Sequence, residues 1–128
     1  MANASGFDAE LFFSALADKT RLRLLNLLRD GEVCVCFFAG TLSTNNPKIS
    51  RHLAYLKRAS LVSARRDGKW IHYTLQTPTD PKAREVFEAT MKMLGDDSSM
   101  KQDRERLVAF CCSPNAPVLI KGRAKTND

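Results

Sequence analysis

The sequence has no apolar run that could span a membrane. None of its segments reaches the roughly 18 consecutive apolar residues that a transmembrane helix needs. The opening residues, 1–6, also lack the basic and apolar segments of a secretory signal. We therefore expect a cytoplasmic protein without a membrane partner.

Glycine and proline are also scarce, at six and five of 128 residues, while 44% of the residues are hydrophobic. This composition excludes fibrous and disordered chains. Because a domain usually takes about 100–200 residues, the chain has room for one hydrophobic core. We assign residues 1–112 to that domain. Residues 113–128, which contain two prolines and several small polar residues, are predicted to form a mobile tail.

Catalytic motifs are missing as well. The sequence contains neither a glycine-rich phosphate-binding loop nor a nucleophile with an identifiable base. We therefore predict that the protein is not an enzyme.

Positive charge, in contrast, is concentrated in one segment. The formal net charge is +6, and residues 46–75 carry all of it, with seven basic side chains against one acidic side chain. The seven are Lys48, Arg51, Lys57, Arg58, Arg65, Arg66 and Lys69. Such a patch suits a polyanion, most simply nucleic acid, because binding releases condensed counterions. A solvated charged face is the alternative that charge alone leaves open.

Apolar residues recur at helical spacing at both ends of the chain. They predict a first helix over residues 8–17 and a second, capped by Asp18, over residues 19–29. Beyond Pro78 the helical pattern returns, and after an interruption it resumes over residues 101–112.

The apolar segment 33–42 is ambiguous between a strand and a helix. Gly40 weakens a helical interpretation without excluding it, and we predict a short helix here.

A further helix is predicted over residues 47–59, after a start signal in which Asn45 and Asn46 can cap the helix and Pro47 suits its first turn. Its apolar residues fall on one face and a polar, basic set on the other. The polar set comprises Lys48, Arg51, Tyr55 and Arg58, with His52 at one boundary and Ser50 and Lys57 at the other edge. This mixture of charge and hydrogen-bonding groups suits a nucleic-acid groove.

A hairpin follows, with strands over residues 61–66 and 69–75 and Asp67-Gly68 as its predicted loop. In this register Arg66 faces Lys69, an unfavourable like-charge pair that a phosphate would relieve. The alternation places His72 on the open face of the hairpin.

These elements together predict a mainly α fold with a two-stranded β-wing, that is, a winged helix-turn-helix with flanking dimerisation helices. The second helix of such a unit lies in the major groove of double-stranded DNA, and the wing reaches the backbone or the adjacent minor groove. The apolar stripes at both ends of the small core favour a homodimer.

Four motifs occur in order along residues 20–73. They are TRLRLL at residues 20–25, EVCVC at 32–36, SRHL at 50–53 and RRDGKWIHY at 65–73. In these motifs the chain resembles the ArsR/SmtB winged-helix metalloregulators, particularly their arsenic-responsive branch. The resemblance covers roughly residues 8–75.

The resemblance implies a homodimeric repressor that leaves its operator when trivalent arsenic binds cysteine thiolates. It places Lys48, Ser50, Arg51 and His52 in the groove, with Arg66 and Lys69 on the wing. The helix entry and the polar face add Asn45, Asn46 and Tyr55 as predicted DNA contacts. Arsenite is the implied inducer, with antimonite and methylarsenite as further candidates. Asn45-Asn46 replaces the frequent Ser-Gln pair at the entry to this helix.

The cysteines follow the family pattern only in part. Cys34 and Cys36 match it, but the third local thiol is missing, because residues 37–39 are Phe-Phe-Ala. The third sulfur would then come from Cys111 or Cys112, in the same chain or its partner. Three alternatives stay open: apolar cysteines without a ligand, a thiol redox switch, and a zinc or cadmium site with four thiolates.

Overall fold

A computed structural model describes residues 6–111. Within this range the chain forms six α-helices, a short 3-10 turn and three strands. In order these are α1 (Ala9–Leu16), α2 (Lys19–Leu27), β1 (Val33–Cys34), the 3-10 turn (Val35–Phe37), α3 (Phe38–Thr41), α4 (Asn46–Arg58), β2 (Val62–Asp67), β3 (Trp70–Leu75), α5 (Pro81–Asp96) and α6 (Ser98–Cys111). The fold is a winged helix-turn-helix, as the sequence predicts.

The predicted tail over residues 113–128, Cys112 and the side chain of Cys111 lie outside the described residues. Over residues 6–111, none of the helices combines the length and apolar character needed to cross a bilayer.

Side-chain caps explain where the helices begin. Asp8, Asp18, Asn45 and Asp80 each have extended backbone torsions and accept a hydrogen bond from a backbone N–H in the first turn that follows. These bonds satisfy amide groups that have no partner within the helix. The predicted starts of α1, α2 and α4 are therefore confirmed to within one residue.

The core lies between α2, α4 and the chain around β1. Its largest fully buried side chains come from several elements and include Phe12, Leu24, Leu25, Phe37, Phe38, Ile49, Leu53 and Leu56. The three residues from α4 are the predicted apolar face of that helix. Their burial fixes the opposite face of α4 toward solvent.

The segment 33–42 is not the single short helix predicted from the sequence. Val33 and Cys34 form a strand that pairs antiparallel with β3, the next three residues form the 3-10 turn, and only residues 38–41 are α-helical. The backbone groups of Val33 and Cys34 pair with β3, a strand from a distant part of the sequence. The wing sheet therefore has three strands in the order β1-β3-β2, one more than predicted.

The predicted hairpin register is wrong by two residues. Asp67 pairs with Trp70 and Arg66 with Ile71, so the loop is Gly68-Lys69. Gly68 takes a positive φ of 63° at the first loop position, as a type II′ turn requires. Arg66 and Lys69 do not face each other, and the anion site inferred from that like-charge pair is not supported.

His72 is buried, with 6% of its surface exposed, and does not lie on an open face as predicted. The added strand β1 makes β3 the central strand of the sheet, and Cys34 is the cross-strand neighbour of His72.

A buried polar network holds α6 against α2. Asp103 on α6 is 2% exposed and accepts hydrogen bonds from Nε and Nη2 of Arg23, at 2.7 and 3.0 Å, and from Arg106. Arg106 also donates to the carbonyl of Thr41 at the end of α3. A few residues along, Asn26 donates to the Met100 carbonyl at 2.9 Å.

Replacing Asp103 with Asn tests how much this network contributes to the free energy of unfolding. The Asp103→Asn variant keeps the shape but loses the charge that both arginines share, so we expect the free energy of unfolding to fall by about 1–3 kcal/mol. Chemical denaturation measures the change. Glu105→Gln on the exposed side of α6 is the matched control and should stay within about 0.5 kcal/mol of the parent. An unchanged Asp103→Asn variant would show that the network contributes nothing.

Candidate nucleic-acid interface and thiol site

The polar face of α4 lies open to solvent at the N-terminal end of the helix. The Asn45 side chain caps the helix by accepting a hydrogen bond from the Lys48 amide at 2.9 Å. The exposed residues at this end are Asn45, Asn46, Lys48, Ser50 and Arg51. All five were predicted to contact DNA, and their exposure leaves them available for it.

His52 and Tyr55 differ from these five because Arg21 of α2 holds them. The Arg21 guanidinium lies 4.1 Å from the centre of the Tyr55 ring, and its Nη1 is 3.2 Å from Nδ1 of His52. Its other nitrogens donate to the carbonyls of Ser14 and Ala15 at the end of α1. Arg21 therefore joins α1 to the outer face of α4, and sequence reasoning gave it no role.

This contact defines the protonation of His52. Arginine only donates hydrogen bonds, so in this contact Nδ1 of His52 accepts, which favours the neutral ring. The pKa of His52 is lowered, first by burial, and further by the positive charges of Arg21, Lys48 and Arg51, against the opposing effect of Asp18. The Asp18 carboxylate lies 3.8 Å from the ring.

The wing presents two predicted contacts at its tip. Arg66 and Lys69 are exposed on either side of the Gly68 turn, and the Lys69 ammonium lies 5.7 Å from the centre of the Trp70 ring. Arg65, one residue earlier, is committed elsewhere: it forms a two-bonded ion pair with Glu32, at 2.8 and 3.0 Å. This pair offsets one of the seven positive charges of the basic segment. Only the folded structure shows it, since the partner lies outside that segment.

The thiols of Cys34 and Cys36 lie close together where β1 joins the wing sheet. Their Sγ atoms are 2.9 Å apart. Cys34 is the last residue of β1 and is fully buried, whereas Cys36 lies in the 3-10 turn and is partly exposed. The change from strand to 3-10 turn thus brings two soft sulfur donors together. The Cys36 side of the pair is open to solvent.

The end of α6 approaches this thiol pair. The Phe110 ring packs edge-on against the Phe37 ring, with centroids 5.5 Å apart, and it also lies over Gly40. Cys111, the next residue, is the last of α6. Among the residues with described side chains, no group of three Cys, His, Asp or Glu could hold a metal ion. The predicted third sulfur, from Cys111 or Cys112, remains a prediction.

The lowered pKa of His52 predicts a pH dependence of stability. The unfolded chain takes up a proton at His52 below about pH 6.5. The folded chain, in which the pKa of His52 is lower, takes up this proton only at a lower pH. The free energy of unfolding should therefore fall as the pH is lowered from 7 to 5. In His52→Gln this part of the decline should be absent, as denaturation at several pH values will show. Equal slopes for parent and variant would refute the assignment.

Comparison with known proteins agrees with this geometry. The signature of the family described as "Bacterial regulatory protein, arsR family" matches residues 18–64, from the cap of α2 into β2. The arsenic resistance transcriptional regulator ArsR1 of Pseudomonas putida is 37% identical over 111 residues, which cover 84% of each chain. The arsenical resistance operon repressor of Escherichia coli is 50% identical over 77 residues, 59% of this chain and 66% of that one.

A solved structure extends the comparison to the wing. It is the homodimeric winged helix-turn-helix DNA-binding domain of a possible ArsR-family transcriptional regulator from Mycobacterium bovis. It is 31% identical, has a TM-score of 0.54, and covers 68% of this chain and 77% of its own. The protein described here therefore belongs to the arsR family of bacterial regulatory proteins and is a DNA-binding transcriptional regulator.

Proposed function

We propose that the protein is a homodimeric repressor that leaves its operator when trivalent arsenic or antimony binds its cysteine thiolates. The observation that carries this proposal is the 2.9 Å contact between the Sγ atoms of Cys34 and Cys36, where β1 joins the wing sheet. Two sulfurs this close can share one ion, and they lie beside the elements that would bind DNA.

The DNA contacts come from α4 and the wing. The major groove, about 12 Å wide, admits a helix such as α4, whose first turns expose Lys48, Ser50 and Arg51. Arg66 and Lys69 at the wing tip suit phosphate contacts, which set orientation without selecting sequence. His52 and Tyr55 contribute mainly through their contacts with Arg21.

Exposed apolar side chains on the flanking helices support a homodimer. Phe13 on α1 is 54% exposed, and Val86 and Met93 on α5 are 37% and 64% exposed. A second copy of the chain would cover this surface and present two recognition helices to two half-sites about one helical turn apart.

The donor set favours a soft ion. Thiolates select soft, thiophilic metals and metalloids. Arsenite and antimonite take three sulfurs, whereas a methylated trivalent arsenical such as methylarsenite needs only two protein thiols. The Cys34–Cys36 pair therefore suits all three as inducers, and the three-sulfur ions need one more cysteine.

We assign that third sulfur to the C-terminal end of α6 in the same chain. Phe110 packs on Phe37, the residue after Cys36, so α6 ends over the thiol segment of its own chain. Cys111 is its last residue, and Cys112 follows.

Ligand binding would release DNA through a coupling between two sites. Cys34 lies in the wing sheet, and the 3-10 turn that holds Cys36 leads into α3. An ion bound by both thiols and a third sulfur would therefore strain the DNA-binding arrangement. A typical coupling of about 1–3 kcal/mol would weaken operator binding about 5- to 150-fold.

Serine substitution of both thiols tests the inducer site. In Cys34→Ser/Cys36→Ser we expect operator affinity without arsenite to be unchanged and arsenite-driven release to be lost, as measured by fluorescence anisotropy of labelled operator DNA. Val35→Ala, in the same turn, is the control and should still respond. An arsenite response in the double variant would sink the proposal.

A mixed dimer tests whether the third sulfur comes from the same chain. One protomer carries Cys34→Ser/Cys36→Ser and the other carries Cys111→Ser/Cys112→Ser. In the same-chain arrangement this dimer has no complete three-sulfur site, so the arsenic–thiolate absorption of the parent should be lost. One bound arsenite per mixed dimer would mean that the sulfur crosses between protomers.

The same sulfurs allow two alternative functions. The short Sγ contact also suits a thiol redox switch, in which oxidation replaces the ion. With both C-terminal thiols, four sulfurs would suit tetrahedral zinc or cadmium. Release by oxidant alone, or by cadmium at lower concentration than arsenite, would favour the first or the second alternative.

A further inference from the structure

The position of Cys34 in the wing sheet indicates how the thiol site acts on DNA, an inference that rests on the function proposed above. Cys34 on β1 faces His72 on β3, and His72 faces Arg65 on β2. The three residues form one row across the sheet. This row runs from the thiol site to the outer strand of the wing.

The Glu32 side chain, next to one end of this row, contacts Arg65 at the other end. It lies two residues before Cys34, and its two carboxylate oxygens accept hydrogen bonds from Nε and Nη2 of Arg65 at 3.0 and 2.8 Å. Its Oε1 is also 4.0 Å from Nδ1 of His72 on the strand in between. Because a two-bonded pair fixes orientation as well as distance, β1 and β2 are tied together above β3.

His72 connects the row to the wing tip. Its ring is 6% exposed, and its Nε2 lies 3.8 Å from Oδ2 of Asp67, the residue that pairs with Trp70 at the turn. A buried side chain between Glu32 and Asp67 is positioned to pass a displacement of one neighbour to the other. The thiol site and the DNA-facing turn thus share one packed set of side chains.

We propose that the Glu32–Arg65 pair and the row from Cys34 to Arg65 couple the thiol site to the wing. The two sulfurs belong to different elements, since Cys34 lies in β1 and Cys36 in the 3-10 turn. Joining them through an ion, with a third sulfur, shifts β1, and its partners on β3 must follow. Glu32 is a positioning residue in this route because it acts through Arg65.

A route through α3 into α4 is the competing arrangement, because the 3-10 turn continues directly into α3. The two routes differ in one observable. Coupling through the sheet changes the wing even when no DNA is bound, whereas coupling through α3 leaves the wing unchanged.

The wing carries its own reporter, because Trp70 is the single tryptophan of the chain. Sodium arsenite is titrated into the full-length, DNA-free protein, and the Trp70 emission and the arsenic–thiolate absorption are recorded together. We expect both signals to change with the same half-saturation concentration. Absorption that rises while the emission stays constant overturns the wing coupling and leaves the proposed inducer site standing. No absorption at all overturns the inducer site and this inference with it.

A pair of charge-matched variants tests the role of Glu32. Glu32→Gln breaks the ion pair, and Glu105→Gln removes the same charge from the exposed side of α6. Any general gain in DNA affinity from the lost negative charge is shared by the two.

The measured quantity is the ratio of operator Kd with and without arsenite, expected to be about 5–150 in the parent. We expect this ratio to fall toward one in Glu32→Gln while the arsenic–thiolate absorption is retained. Glu105→Gln should keep the parent ratio. A parent-like ratio in Glu32→Gln would overturn the assignment of the ion pair.

Discussion

The pairing of β1 with β3 is the contact on which the rest of the site depends. Through this pairing Val33 and Cys34 form a strand of the wing sheet and are not part of the helical segment that follows. The chain must then reverse within the 3-10 turn, and this reversal brings the sulfurs of Cys34 and Cys36 together. The same pairing buries His72 between the thiol segment and the wing. A two-residue strand therefore places the thiol pair and the hairpin in one sheet.

Two polar networks hold the helices around this sheet. On one side of α2, Arg21 binds carbonyls at the end of α1 and contacts His52 and Tyr55 on the outer face of α4. On the other side, Asp103 of α6 is bound by Arg23. Helix α2 is thus held between α4 and α6.

The sequence predicted those features that local chemistry determines. The start of α4 follows from Asn45 and Pro47, and its buried face follows from the spacing of its apolar residues. Features that depend on distant partners were missed. The partner strand of β1 lies almost forty residues away, and the contact of Arg21 with His52 spans thirty-one residues.

The hairpin register failed for a different reason. Gly68 can occupy either position of a two-residue loop, and a shift of two residues leaves every side chain on the same face. Alternation alone therefore could not separate the two registers.

The central claim is that thiolate binding and loss of DNA are one linked event. The most direct test is a titration of the protein–operator complex with arsenite in which arsenic–thiolate absorption and the anisotropy of labelled operator are followed in the same sample. We expect the absorption to rise and the anisotropy to fall together, with one common midpoint. Operator release without thiolate binding, or thiolate binding to a complex that stays intact, would contradict it.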